Sequence, residues 1–314
     1  TAPGVQYGED IALVGDYAYI ADKIEGVKVF NCAQVAGPFQ VAHLTDFDEA
    51  WDLVADGDTV YVADKQFGLR VIDASQPGSP VMAGDEPTSD GYYVSGIAVD
   101  GDTVYLGGGS GNEGRLTVID VSGTPTTIGD YTLGTEAFLS MAVDGGYLVT
   151  GGGHGTLQIW DTSTLGDGAF PVGQLYNAGQ PNFEPWGLGV TVHDSVVYYA
   201  DWGAGLIVVD ITLPNVPVEA SVIFNTYSFY DTAVAEQLTV MGTTYSVVAV
   251  AANSSNGVLL IDASDPYAAT PIGSPIDVDV NWDATLHGVS VRGPYAYLAD
   301  NGGDHLFKIA RIAD

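Results

Sequence analysis

Three sets of residues in this 314-residue chain have types and spacings that could do chemistry. The first is four aspartates, Asp22, Asp64, Asp201 and Asp300, each closing an Ala-Asp pair. Hard cations such as Ca²⁺ prefer several carboxylate and carbonyl oxygens, so a mouth lined by these side chains is a candidate Ca²⁺ site. Paired carboxylates would also suit glycoside hydrolysis. The competing reading is structural: a short acid next to a turn accepts its own backbone N–H groups. No contiguous calcium-loop motif favours the first reading over the second.

The second set is aromatic: Trp51, Tyr93, Trp186, Trp202 and Tyr230, with Phe138 and Trp282. Flat rings beside acidic acceptors suit a neutral sugar or a protein partner, and they also pack loops over a core. The third set is the histidines His154, His287 and His305. With Tyr93 or Tyr295 they have the types needed for proton abstraction in a polysaccharide lyase. Such an enzyme must also neutralise a uronate carboxylate. Arg292 lies in a turn away from these residues, and Lys23 and Lys65 read as isolated loop residues. A catalytic reading therefore ranks below a binding one. The runs Gly107-Gly108-Gly109 and Gly151-Gly152-Gly153 are followed by no helix that would supply an N-terminus for a phosphate.

Composition narrows the classes further. Forty acidic and eight basic residues leave a net charge of −32. That field repels phosphate backbones and anionic membranes, and the absence of any Lys/Arg cluster argues against nucleic acid. The longest apolar run, near Val247 to Ala252, is far short of the ~20 residues of a membrane helix, so no direct membrane insertion is expected. The single Cys32 allows no internal disulfide. The Thr1 start is read as that of a processed secreted chain. Asn253-Ser254-Ser255 is a glycosylation sequon.

The elements that must position these residues follow from an internal repeat. An apolar triplet, a tight turn, a strand, a short Gly-containing loop and a second strand recur seven times, closing at Asn31, Asp73, Asp120, Asp161, Asp210, Asp262 and Ala310. The spacings of 41 to 52 residues fit a four-stranded propeller blade. Asp56-Gly57, Asp100-Gly101 and Asp144-Gly145 permit the positive φ of hairpin turns. Runs such as Thr59 to Asp64 are apolar throughout, as a strand buried on both faces requires. Small residues at Ala12, Ala98, Ala142 and Ser290 suit a crowded axis. The expectation is one all-β domain over residues 1–314, a seven-bladed β-propeller. With strands lettered A to D from the axis outward, Val5 to Gly8 is expected to supply strand D of the last blade and close the ring. The same strand could instead enter a neighbouring copy. The D–A and B–C loops share one face, which places Asp22, Asp64, Asp201, Asp300, Trp51, Tyr93, Trp186, Trp202, Tyr230 and His287 around the channel mouth.

VYVADKQFGLRVIDASQPGSPV, from Val60 to Val81, followed by GIAVDG, resembles the LVIVD-repeat propellers of bacterial and archaeal surface and secreted proteins. The resemblance is strong in the first, second, fifth and seventh repeats. The third and fourth carry Gly-Gly in place of Ala-Asp, and the sixth lacks both the Asp and the short hairpin. It implies an extracellular or cell-surface location and carries over no catalytic residues. The expected function is a non-catalytic module for protein–protein contact or self-assembly, in a surface layer or filament. A carbohydrate-binding propeller with an aromatic rim is the alternative, and no cofactor other than Ca²⁺ is expected.

Overall fold

In the computed structural model, seven four-stranded antiparallel sheets form a ring of blades, each with its strands in the order A-B-C-D. The structure describes residues 2–88, 92–110, 113–133, 137–152, 156–166, 168–175, 187–223, 228–253, 257–278, 285–301 and 306–314. Strands A of blades 1 to 7 are Gly8–Val14, Ala50–Asp56, Tyr93–Asp100, Phe138–Asp144, Gly187–His193, Phe229–Val240 and Leu286–Arg292. Each touches the next, and the first touches the last, so the ring is closed.

The hydrophobic core consists of clusters between blades. One unites Ala12, Val14, Tyr19 and Val29 of blade 1 with Leu53, Val60, Val62 and Ile72 of blade 2. Another unites Ile11, Ala18, Ile20 and Phe30 of blade 1 with Tyr297, Ala299 and Phe307 of blade 7. Alternate residues of the second strand, Tyr17–Asp22, thus enter opposite clusters, and both sets are buried. A strand that faces a neighbour on each side reads as a continuous apolar run, because neither side meets water.

Turn chemistry follows the sequence. Gly57, Gly101 and Gly145 adopt φ of +55°, +55° and +57° in A–B hairpins. The third strand ends in an Asp or Asn that accepts the N–H two residues on, from Asn31 with Ala33 to Asp262 with Ser264. That local bond turns the chain out of the sheet.

Closure uses the N-terminus, with a shifted register. Ala2 and Pro3 pair with Phe307 and Leu306, so Ala2–Pro3 is the outer strand of blade 7. Gly8 already belongs to the first inner strand, and Val5 forms no ladder pairs. Val5 instead sits fully buried in the cluster between blades 7 and 1. The expected Val5 to Gly8 strand is displaced because Asp22 accepts the N–H groups of Gln6 and Tyr7, which holds those residues to blade 1. Val5→Ala removes two methyl groups from a sealed site and is expected to destabilise the fold by about 2 kcal/mol. Urea unfolding measures this, and a loss below about 0.5 kcal/mol would show that closure does not depend on Val5.

Candidate functional site

Every inner strand is broken near its start by a register shift against its neighbour. The unpaired residue at each bulge is Glu9, Trp51, Ser95, Leu139, Leu188, Tyr230 or His287. A bulge re-aims one side chain out of the sheet's alternation. All seven line an axial channel of about 810 Å³, and the small residues Ala12, Ala98, Ala142 and Ser290 are among those lining it below. One bulge per blade therefore builds the mouth.

Most of that mouth is a connected arc. Trp202, in the B–C loop of blade 5, lies against Tyr230 of blade 6, whose phenol burial pushes up and Trp202 draws back down. Tyr230 stacks on His287 of blade 7 with ring centroids 4.2 Å apart and planes 15° apart. His287 Nδ1 lies 2.6 Å from Glu9 Oε2 of blade 1, and Lys23 Nζ is 3.2 Å from Glu9 Oε1. Lys23 also sits 4.0 Å above the ring of Trp51 in blade 2, and Lys65 is 5.2 Å from the rings of both Trp51 and Tyr93. Lys65 pairs with Glu49, which accepts the Trp51 indole N–H. Burial opposes the charge on Glu9, but the hydrogen bond and charge of His287, with Lys23, outweigh it and hold the carboxyl below its usual range.

Trp51, Tyr93, Trp202, Tyr230 and His287 are thus brought together, and Trp186 lies outside the described residues, as do Trp282, His154 and His305. Phe138 turns inward instead and packs edge-on against Trp160, 6.0 Å away. Lys23 and Lys65 are not isolated. They flank Trp51, a juxtaposition invisible at 42 residues' separation until the ring closes. Arg292 lies at the far end, paired with Asp16. The lysines cover Trp51, so the half-exposed rings are Tyr93 and Trp202, each 51% accessible. Of the sequon, Ser254 and Ser255 lie outside the described residues.

Asp22, Asp64, Asp201 and Asp300 are fully buried, one in each of four blades. Each accepts backbone N–H groups: Asp22 from Gln6 and Tyr7, Asp64 from Asp48 and Glu49, Asp201 from Gly203 and Ala204, Asp300 from Thr285. Three also meet a cation on the third strand, Lys28, Arg70 or Lys308. The oxygens of Asp22 and Asp64 are committed to the loops and the fold, Asp201 spends Oδ1 on both of its N–H donors, and among the described residues no group of three or more His, Cys, Asp or Glu is placed to hold a metal. Ile207 occupies the corresponding position in blade 5. Without a cation there, burial outweighs the two N–H donors and pushes the Asp201 carboxyl up to about 6.

Immediately below the mouth lies a second acidic set. Asp10 accepts the N–H of Leu53, Asp52 that of Ile97, and Asp231 that of Val289, each in the next blade. These bonds stitch strand A to strand A across the ring. Gly189 and Gly288 make room: a Cβ on either would lie 2.6 Å from the Cα of Asp231 or Asp10. Burial raises all three carboxyls. Asp52, which hydrogen-bonds Asp10 and faces its charge, is raised furthest along with Asp231. Two acids in contact at this depth share a proton.

Four regions, residues 7–29, 49–88, 189–226 and 286–305, match the LVIVD repeat. They fall in the first, second, fifth and seventh blades. No curated protein matches the chain. A chain in the "Crystal Structure of Mitotic Checkpoint Complex" aligns with a TM-score of 0.74 at 13% identity, over 100% of this chain and 90% of that one. The computationally designed Ika8 protein aligns with a TM-score of 0.62 at 10% identity, over 99% and 98%. At such identities the likeness is one of fold.

The axial acids make stability depend on pH. A carboxyl raised in the folded state stabilises below the unfolded value of about 4, and that contribution is lost as pH rises through the folded value. Asn at position 52 mimics the protonated acid, keeping a donor toward Asp10 and an acceptor for Ile97. Asp52→Asn is expected to raise the melting temperature at pH 8 by ~2 °C or more and to change it little at pH 5. Equal shifts at both pH values would remove the shared proton from the account.

Proposed function

We propose that this chain is a non-catalytic binding and assembly module, working outside the cytoplasm, whose channel-mouth rim engages a protein partner. The observation that carries this reading is the arc itself. Side chains from blades 3, 2, 1, 7 and 6 are locked to one another by stacking, ion pairs and cation–π contacts, and Trp202 of blade 5 adjoins them. A rim ordered before binding loses little entropy on contact, and exposed Tyr and Trp rings beside it are the side chains that dominate interface energetics. The LVIVD resemblance supports the extracytoplasmic setting.

A second reading, neutral-glycan binding, is favoured by the charge balance of the same arc. Glu9 and Glu49 offset Lys23 and Lys65, so a strongly anionic molecule presents an almost neutral mouth with two half-open rings. Catalysis is the weaker reading. His287 is oriented through Nδ1 by Glu9 as a general base would be, yet Tyr230 covers one face of its ring.

Sedimentation velocity and a neutral-glycan panel test the proposal together, using the wild-type chain and a Tyr93→Ala/Trp202→Ala variant. High salt screens the self-repulsion of like-charged copies within about 3 Å at 1 M, so assembly is expected to strengthen as salt is raised. Loss of assembly in the variant supports the first reading. A salt-independent monomer that binds glycans through Trp202 supports the second, and a monomer that binds none overturns both.

A further inference from the structure

The face opposite the channel mouth, built from A–B and C–D turns, exposes large apolar side chains that its folding does not require. Nine of the fourteen such side chains exposed among the described residues lie at this end, whereas four lie toward the channel mouth. The highest exposures here are Phe170 at 87%, Met241 at 81% and Leu213 at 64%. Blades 4, 5 and 6 interlock to make a strip of them. Pro214 and Pro217 of blade 5 press on Gly173 of blade 4, where any Cβ would strike the Pro214 carbonyl. Tyr267 of blade 6 donates its hydroxyl to Asp210 of blade 5 at 2.7 Å, and Ser221 Oγ donates to Pro266 O at 2.6 Å. Phe170, Leu213, Val216 and Tyr267 thus stand on the C–D connections of three adjacent, interlocked blades.

Charge selects what this strip can meet. The strand-end acids Asp161, Asp210 and Asp262 border it, each spending one oxygen on a turn N–H. Turn donors and the Tyr267 hydroxyl hold Asp210 below the usual carboxylate range, so it stays ionised. Asp144 and Asp194 add exposed carboxylates in the neighbouring A–B turns. A second copy would bring the same charges against them.

We propose that the strip of Phe170, Leu213, Val216 and Tyr267, with its border of carboxylates, docks a basic, amphipathic segment of another protein. Apolar side chains of that segment cover the strip while its lysines or arginines meet the surrounding acids. Carboxylates steer the encounter over a Debye length, and the apolar contact slows release. This docking uses a face separate from the rim, so the chain would act as an adaptor with two independent sites.

Fluorescence anisotropy on the full chain tests this with two labelled probes. One is an amphipathic leucine–lysine peptide of about 14 residues, and the other is oligolysine of equal length. The amphipathic peptide is expected to bind at least about tenfold more tightly than oligolysine at ~0.15 M salt. Phe170→Ser/Leu213→Ser, both at exposed positions, is expected to erase that difference and leave oligolysine binding unchanged. Trp202→Ala, at the rim, is expected to alter neither. Equal binding of the two probes, no effect of the double substitution, or loss through Trp202→Ala each overturns the proposal.

Discussion

A blade of this protein has two apolar faces and no means of burying either alone. That constraint dictates the rest. The described core clusters lie between blades, from Ala12 with Leu53 to Tyr297 with Ile11, and none is internal to one sheet. Burial is therefore complete only when the last blade meets the first, and the N-terminal segment performs that meeting. Val5 seals the apolar seam, while Ala2 and Pro3 pair with strand C of blade 7. A circle so closed has no stack end, which is where a linear array of such sheets would expose its faces.

Closing seven strands around one axis creates a polar problem that the axial aspartates solve. Near the axis neighbouring inner strands form no backbone ladder with one another. Asp10, Asp52 and Asp231 bridge the gap by accepting an N–H from the adjoining blade. Where the chain comes closest, Gly189 and Gly288 remove the Cβ. Three acids around one narrow axis cannot all be charged cheaply: burial raises all three, and the charge of Asp10 raises Asp52 and Asp231 further. The stitching that holds the ring also stores protons in it.

The blade count, the hairpins and the sharing of one face by B–C and D–A loops were legible in the sequence because each rests on local chemistry repeated seven times. Gly57 and Asp73 announce their turns wherever they occur. The mouth was legible in part. Trp51, Tyr230 and His287 stand out as bulky residues at the start of strand A, but nothing marks the bulge that turns them toward the axis. A bulge is a register relation between two strands, and a single strand's alternation does not contain it. Lys23 and Lys65 were misread for a related reason: their partner Trp51 belongs to a different blade from Lys23, and only the ring's curvature brings the two together. Ala2–Pro3 escaped notice because Gln6 and Tyr7 are claimed by a side chain, Asp22, rather than by a strand.

The difference between the two faces separates what folding demands from what it leaves over. The carboxylates that end strand C serve the fold, since Asp73, Asp120, Asp210 and their equivalents each accept a turn N–H and so fix the turn. Much of the anionic charge on that face is thus a consequence of turn chemistry. The buried acids Asp22, Asp64 and Asp300 are likewise accounted for by loops and by Lys28, Arg70 and Lys308. No comparable demand explains Phe170 or Met241, which touch water across most of their surface, nor the half-open rings of Tyr93 and Trp202. A repeat built on turn-forming and blade-packing residues could have used polar side chains at Phe170 and Met241 with little loss of burial. Residues that the fold would release, yet that are apolar and exposed, are where the physics of folding stops supplying a reason and the physics of binding begins.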